Sequence, residues 1–321
     1  MSSALVLPDG VRRAWPALRL FGGALVLVAL VWRFGTGPFA AAWRVTTWGS
    51  VTAAVVLTGL ATLANAWRWR AVARALGAPL TAFGSVAAYY RSQFLNAALP
   101  GGVLGDAHRG VRHGQDVGSL GVGLRGTVWD RVSGQLVQAV LLVIALTVLP
   151  TPLRPYAPVA LSGLGAFALV AWWLGRRRGA GAFVGHDLRT LLRPGVAVPV
   201  VVASCASTAA HVAVFLVAVA SVGVDTTPAS LVAISLAVLV GSAVPLNIAG
   251  WGPREGVTAG VFALAGLGST TGLTVSVVFG VLAAVATLPG VLVLLGDVVV
   301  RRRRRPAVDR PAPALEEARH G

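Results

Sequence analysis

Long apolar stretches separated by short polar segments dominate the pattern of this chain. A helix of about 20 apolar residues crosses a bilayer, and runs near that length occupy seven ranges: 17–32, 49–66, 129–149, 156–174, 196–222, 229–248 and 272–296. A shorter run at 256–268 predicts an eighth crossing, and the run at 82–99, which contains Arg91 and Gln93, predicts a re-entrant half-helix. The pattern predicts an all-α, polytopic helical membrane protein with about eight spanning helices.

Composition and charge support this class. Hydrophobic residues make up 56% of the 321 residues and charged residues only 12%, against about 25% charged in soluble domains; mean hydropathy is +0.77. The net charge of +16 comes from arginines spread between the apolar runs, so we expect no nucleic-acid partner. These arginines fit the positive-inside rule if the N-terminus is cytoplasmic. The basic run Arg301–Arg305 must then also lie inside, which requires an even number of crossings.

The apolar runs also define the predicted organisation. Residues 1–16 form a cytoplasmic N-terminal tail, 17–298 the membrane domain, and 299–321 a basic, disordered C-terminal tail. The exclusive use of Arg over Lys, with abundant Ala, Val and Gly, suggests a GC-rich bacterial genome. We therefore expect a multi-pass protein of the plasma membrane with both termini in the cytoplasm.

One segment, NAALPGGVLGDAHRG at 96–110, interrupts an apolar region with proline, glycine and charge. Proline removes a backbone donor and glycine relaxes the backbone, so the helix should unwind. Broken backbone survives at membrane depth only where protein or water satisfies it. If a helix resumes at Gly105, Asp106 and Arg109 share one face and can pair. The candidate binding residues are Asn96, Pro100, Gly102, Gly105, Asp106 and Arg109.

A second segment, VPLNIAGWGPREG at 244–256, repeats the order of proline, glycine and charge. Arg254 and Glu255 are adjacent, so we expect their side chains to point apart. The candidate binding residues are Asn247, Gly250, Gly252, Arg254 and Glu255. Paired Gly/Pro-broken segments in two halves of a chain are typical of a transporter's central site. The alternative interpretation is that both are cytoplasmic loops with solvated charges.

A third charged pair, Asp130 and Arg131 in WDRVSGQ, precedes an apolar run. We expect it to open a spanning helix, where an acid in the first turn interacts favourably with the helix dipole. Both residues are also candidates for substrate binding.

The motifs NAWRW at 65–69, NAALPGGVLGDAHR, DRVSG at 130–134 and GWGPREG follow one another in this order. In this the chain resembles the membrane region of lysylphosphatidylglycerol synthetases and related flippase-like integral membrane proteins, over roughly 49–297. The resemblance implies re-entrant segments and a role in moving lipid or lipid-linked sugar between leaflets. The synthetases proper add a large soluble aminoacyl-transferase domain. We expect none here, so lipid aminoacylation would need a separate transferase polypeptide.

Other signatures are weak. GVGLRG at 121–126 matches a dinucleotide-binding pattern, but no strand precedes it. His108 and His113 are five residues apart and lack companions at metal-ligand spacing. We therefore expect no cofactor and no metal.

The residues and the resemblance together predict a lipid transporter that is not an enzyme. Its expected partner is an anionic phospholipid or a polyprenyl-phosphate-linked sugar. Arg109 and Arg254 would contact the lipid phosphate, since arginine binds phosphate oxygens bidentately, and Asp106 and Glu255 would hold them when the site is empty. Two alternatives stay open: a polyprenyl-phosphate glycosyltransferase with Asp106 as base and a metal site, and a scaffold that positions a partner enzyme.

Overall fold

The computed structural model describes residues 32, 35–99, 102–176, 180–242 and 253–304. This part of the chain is all helical and contains no strand. Its helices, numbered in chain order, are α1 (Gly37–Val45), α2 (Trp48–Ala75), α3 (Ala82–Ala98), α4 (Leu104–Asp116), α5 (Leu120–Val148), α6 (Ala157–Arg176), α7 (Ala180–Leu191), α8 (Pro194–Val222), α9 (Pro228–Gly241), α10 (Pro253–Leu264), α11 (Ser269–Ala286) and α12 (Pro289–Arg304).

Four segments in the described part are long and apolar enough to cross a membrane: Trp48–Ala75, Leu120–Val148, Pro194–Val222 and Ser269–Asp297. Each has 28 or 29 residues, so at about 1.5 Å per residue each exceeds the roughly 30 Å hydrocarbon core. The predicted count of about eight spans is not confirmed.

The remaining predicted spans differ in outcome. The run at 156–174 corresponds to α6 and the run at 256–268 to α10, which ends at Leu264, but neither is among the four candidate spans. The run at 229–248 is helical up to Gly241, and its end lies outside the described residues, as does the run at 17–32 apart from its last residue.

Local sequence explains where several helices begin. Thr47 and Ser50 form a reciprocal capping box at the start of α2, and Thr81 accepts a hydrogen bond from the Gly84 amide at the start of α3. Proline occupies the first turn of α8 and α9, where its missing amide hydrogen is not needed. These caps satisfy backbone donors that would otherwise be left without partners.

The core lies between the long apolar helices. α2 packs most extensively along α8, and α11 packs against both of them. Buried apolar residues in this core include Ala54, Val214, Phe215, Leu273 and Leu282.

α3 and α4 form an antiparallel helical hairpin in which the end of α4 lies beside the start of α3. The His113 ring, in the last turn of α4, lies 3.1 Å from the Ala78 carbonyl just before α3. In the first turn of α4, a Cβ on Gly105 would collide with the backbone carbonyl of Ser92 in α3. Glycine at this position therefore permits the close approach of the two helices. The hairpin packs against α2, α5 and α12.

Candidate functional site

A buried carboxylate, Asp130 on α5, holds two arginines from different helices. Its Oδ1 accepts a hydrogen bond from Arg68 Nε of α2 at 2.8 Å, and its Oδ2 accepts one from Arg109 Nη2 of α4 at 2.9 Å. The Tyr89 hydroxyl of α3 donates to Oδ2 at 2.5 Å. Four helices therefore meet at one carboxylate whose side chain is 0% exposed.

A second carboxylate, Asp106, extends the network. Its Oδ1 accepts hydrogen bonds from the Ser92 hydroxyl at 2.7 Å and from Arg109 Nη2 at 3.2 Å. Its Oδ2 accepts from the Asn96 amide at 3.1 Å and from Arg131 Nε. The predicted pairing of Asp106 with Arg109 is confirmed, and Arg109 bridges the two carboxylates.

The network carries more positive than negative charge. It contains the guanidinium groups of Arg68, Arg109 and Arg131 and the carboxylates of Asp106 and Asp130. Three cations face two anions, so with all five groups ionised one positive charge is in excess. An excess of positive charge attracts anions, so the network is a candidate anion-binding site.

Arg109 lies at the centre and is 1% exposed. Its guanidinium carbon is 4.4 Å from the Trp69 ring centroid and 4.0 Å from that of Tyr89, distances at which cation–π attraction acts. Its Nε and Nη1 have no hydrogen-bond partner among the described residues. The guanidinium of Arg109 is therefore stabilised by cation–π contacts with two rings as well as by the hydrogen bonds of its Nη2.

Two polar cavities flank the network. The first, of about 330 Å³, is lined by Arg68, Tyr89, Asp106 and Arg131 together with side-chain amides of α2, α3 and α5. The second, of about 460 Å³, is lined by Arg109 and Trp69 together with Arg91, Arg112 and Asp297. The network and its two aromatic rings therefore lie between the two cavities.

Asp297 of α12 clamps the hairpin beside the second cavity. Its Oδ2 accepts hydrogen bonds from Arg91 Nη1 of α3 at 2.5 Å and from Arg112 Nη1 of α4 at 2.6 Å. One carboxylate therefore ties both helices of the hairpin to the last described helix.

Asp106 lies on α4, outside the four candidate spans. Burial raises the pKa of its carboxyl, but the charges of Arg109 and Arg131 and the Ser92 hydrogen bond outweigh this, so the pKa lies below its usual range. Asp106 is therefore held as an ionised acceptor.

The second charged motif forms a separate pair. Arg254 Nη2 and Nε donate to Glu255 Oε1 at 2.6 and 3.0 Å. Ser276 of α11 donates to the same oxygen at 3.4 Å, and the Arg254 guanidinium lies 5.7 Å from the Phe279 ring centroid. The expectation that these neighbouring side chains point apart is wrong, because both turn toward α11.

Comparison of the sequence with known protein families gives a match that covers most of the chain. The family model of the lysylphosphatidylglycerol synthase TM region matches residues 17–290. The chain belongs to this family. No curated protein and no solved structure gives a significant match to it. Family membership and the long apolar helices identify a membrane protein.

The candidate site residues of this family member fall into three groups. Asn96, Gly105, Asp106, Arg109, Asp130 and Arg131 come together in the network. Gly102 joins them, because its carbonyl accepts a hydrogen bond from Arg131 Nη2 at 3.0 Å and its φ is +60°. Arg254 and Glu255 form the separate pair. Pro100, Asn247, Gly250 and Gly252 lie outside the described residues.

One expectation about a site residue is wrong. Asp130 does not open a spanning helix, because α5 begins ten residues earlier, at Leu120. Asp130 is mid-helix, and its charge is balanced by Arg68 and Arg109 rather than by a helix dipole.

Sequence reasoning missed three members of the network: Arg68, Tyr89 and Ser92. Arg68 lies two residues beyond the predicted apolar run at 49–66, yet it is within α2 and 7% exposed. A usable signal existed, because Asn65 and Arg68 are three residues apart in an apolar helix, and polar residues at that spacing share a face.

Proposed function

We propose that this chain moves a membrane lipid with an anionic headgroup between the two leaflets. The observation that carries the proposal is the buried arginine and aspartate network, with its positive excess, between two polar cavities. Ionisable groups within a membrane protein commonly mark a pathway. A lipid phosphate supplies the negative charge that this network lacks, while the acyl chains stay in the bilayer.

Arg131 and Arg68 are the groups proposed to contact the phosphate. Both line the first cavity, and the Arg131 side chain is 36% exposed. Arginine suits this role because its planar fork donates two parallel hydrogen bonds to phosphate oxygens. Asp106 holds Arg131 when the site is empty and releases it when the phosphate binds.

Passage to the second cavity is proposed to require movement of Arg109. This side chain borders the second cavity and is held between Trp69 and Tyr89. Its unpartnered Nε and Nη1 are available to a phosphate that approaches from that side. The α3–α4 hairpin is proposed to be re-entrant and to move as the gate, with Asp297 holding it closed.

The orientation is part of the proposal. Cytoplasmic N- and C-termini follow from the arginine distribution. On that topology α2 ends in the cytoplasm, and the second cavity, which Pro79 and Leu80 help to line, opens there. The plasma membrane is the proposed location.

The glycosyltransferase alternative is less well supported. A general base must be free to accept a proton at the reaction pH. Both Asp106 oxygens accept hydrogen bonds from arginines, and its pKa lies below the usual range. These contacts favour a role for Asp106 in binding over one in catalysis, and we propose that the chain is not an enzyme.

The test is leaflet exchange of fluorescent lipids in phosphatidylcholine vesicles that contain the purified protein. Labelled phosphatidylglycerol, phosphatidylethanolamine and a polyprenyl-phosphate sugar would be followed by loss of signal to an impermeant quencher. We expect the wild type to exchange an anionic lipid and Arg131→Gln to slow this at least tenfold, since a hydrogen bond to a charged group contributes about 1.5–3 kcal/mol.

Arg125→Gln is the matched control. Arg125 lies on the same helix as Arg131, its side chain is 34% exposed, and it also pairs with one carboxylate, Asp187 at 3.3 Å. We expect its exchange rate to stay near that of the wild type. Folded wild-type protein that exchanges no lipid would overturn the proposal and favour the scaffold, for which altered association with a separate transferase polypeptide is the readout.

A further inference from the structure

The first cavity contains side-chain amides that the ion-pair network does not use. Asn65 of α2 and Gln135 and Gln138 of α5 line it, and the hydrogen bonds between described residues include none from these three side chains. By contrast, Gln93 accepts a hydrogen bond from Thr62, and Asn96 is held by Asp106 and the Gly105 amide. Three amides thus face the cavity with their donors and acceptors available.

These amides lie one to two helical turns from the arginines. On α5, Arg131, Gln135 and Gln138 are spaced by four and three residues and share one face. On α2, Asn65 precedes Arg68 by three residues. A helical turn rises about 5.4 Å, so each cavity-lining arginine has an amide about that far along its helix.

The two helices run antiparallel where they form the cavity wall. Arg68 contacts Asp130, whereas a Cβ on Gly126, one turn earlier in α5, would lie 3.9 Å from the Cα of Ala73. Moving from Arg68 to Asn65 along α2 is therefore the same direction as moving from Arg131 to Gln138 along α5. All three amides lie on the same side of the arginine layer.

We infer that the headgroup bound in this cavity is a phosphate ester of a polyhydroxy compound, such as glycerol, inositol or a sugar. The inference rests on the proposed function and specifies its substrate. An amide offers two donors and one acceptor group, which matches hydroxyls that both donate and accept. The phosphate binds at Arg68 and Arg131, and the hydroxyls bind one to two turns away at Asn65, Gln135 and Gln138.

Charge and size agree with this assignment. The positive excess of the network disfavours an amine-bearing headgroup such as ethanolamine. A bare phosphate would reach the arginines but leave the amide layer without partners, and unpaired polar groups in a site select against a ligand that lacks the matching hydroxyls. A volume of about 330 Å³ lies at the small end of ligand pockets and fits a headgroup rather than a whole lipid.

The decisive experiment compares lipids that all carry a phosphate and differ in the group attached to it. Exchange of labelled phosphatidylinositol, phosphatidylglycerol, phosphatidic acid and phosphatidylethanolamine would be measured in phosphatidylcholine vesicles. We expect the wild type to exchange the two polyol lipids at least tenfold faster than phosphatidic acid. In Gln135→Leu with Gln138→Leu this preference should disappear, so that the ratio of the polyol lipid rates to the phosphatidic acid rate falls toward one. Arg131→Gln should slow all anionic lipids, and Arg125→Gln none.

The outcomes separate the two proposals. Equal wild-type exchange of phosphatidic acid and phosphatidylinositol would overturn the inference and leave anionic lipid transport standing. Retention of the polyol preference in the double variant would also overturn it.

A second arm distinguishes a lipid from a soluble phosphate ester. The melting temperature of the detergent-solubilised protein would be measured with glycerol 3-phosphate, inositol 1-phosphate, phosphoethanolamine and inorganic phosphate. Stabilisation by the polyol phosphates without exchange of any lipid would support the recognition chemistry but contradict lipid transport. No difference between inositol 1-phosphate and inorganic phosphate, together with no polyol preference in vesicles, would contradict the recognition itself.

Discussion

The two charged motifs look alike in sequence but have different surroundings in the structure. In the first, Asp106 and Arg109 of α4 contact Arg68 of α2 and Asp130 and Arg131 of α5, directly or through a shared carboxylate. This network lies between two cavities. In the second, Arg254 and Glu255 bond to each other and turn toward Ser276 and Phe279 of α11. The first arrangement is suited to exchange partners with a ligand, and the second to fix α10 on α11.

A pair of opposite charges differs physically from a network with an excess charge. Arg254 and Glu255 carry opposite charges and neutralise each other. In the first network, every arginine shares its carboxylate with another cation. An incoming anion therefore stabilises the network, whereas the Arg254–Glu255 pair has no such excess.

The largest expected difference is between Asp130→Ala and Glu255→Ala. Asp130→Ala leaves Arg68 and Arg109 buried without that carboxylate, and breaking a buried pair in this way costs about 3–5 kcal/mol. Glu255→Ala removes the carboxylate beside one arginine, Arg254, whose side chain is 17% exposed and therefore partly solvated, and should cost less. Denaturant unfolding in detergent micelles measures both. A greater loss from Glu255→Ala would show that the second pair, not the network, is the more important ion-pair site for stability.

A smaller effect is expected where glycine makes room for a buried arginine. A Cβ on Gly134 would lie 2.5 Å from Arg68 Nη1 and 2.8 Å from its Cζ. Gly134→Ala should displace Arg68 and cost about 1–3 kcal/mol, as overpacking does.

Gly126→Ala is the control on the same helix, because its Cβ would meet Ala73 at an ordinary 3.9 Å. We expect no loss and a gain of up to about 1 kcal/mol from helix propensity. Equal unfolding free energies for the two alanine variants would mean that the Arg68 position is not constrained by Gly134.

Effects no larger than this are expected from removal of single hydroxyls. Ser92 donates to Asp106 at 2.7 Å, whereas Ser276 donates to Glu255 at 3.4 Å, and both serines are buried. Ser92→Ala should cost about 1.5–3 kcal/mol, as for a hydrogen bond to a charged group. The longer Ser276 bond should contribute less, about 0.5 kcal/mol. Thermal unfolding of the two variants checks this, and the reverse order would contradict the comparison.

Much of the fold followed from hydrophobic pattern alone. The runs at 49–66, 129–149, 196–222 and 272–296 correspond to the four candidate spans. Their helices start earlier than the runs or end later, because a polar residue such as Arg68 continues the helix where it finds a buried partner. Apolar run length does not detect a charged residue inside a helix.

The site was only partly predictable for a related reason. The pairing of Asp106 with Arg109 is local and follows from helical spacing. The contacts of Asp130 with Arg68 and Tyr89 join residues 62 and 41 positions apart, so they depend on how the helices pack. Similarly, the sequence shows that Arg254 and Glu255 are adjacent, but their shared orientation depends on packing against α11.

The most direct test is to neutralise each region without leaving a buried charge and to compare anionic lipid exchange. Arg131→Gln removes the more exposed of the two cavity-lining cations of the network, whereas Arg254→Gln with Glu255→Gln replaces the second pair by two uncharged amides. In phosphatidylcholine vesicles with labelled phosphatidylinositol, we predict at least a tenfold slower exchange for Arg131→Gln and a rate near wild type for the double variant. Normal exchange by Arg131→Gln, with exchange lost in the double variant, would contradict the assignment of the headgroup site to the first network.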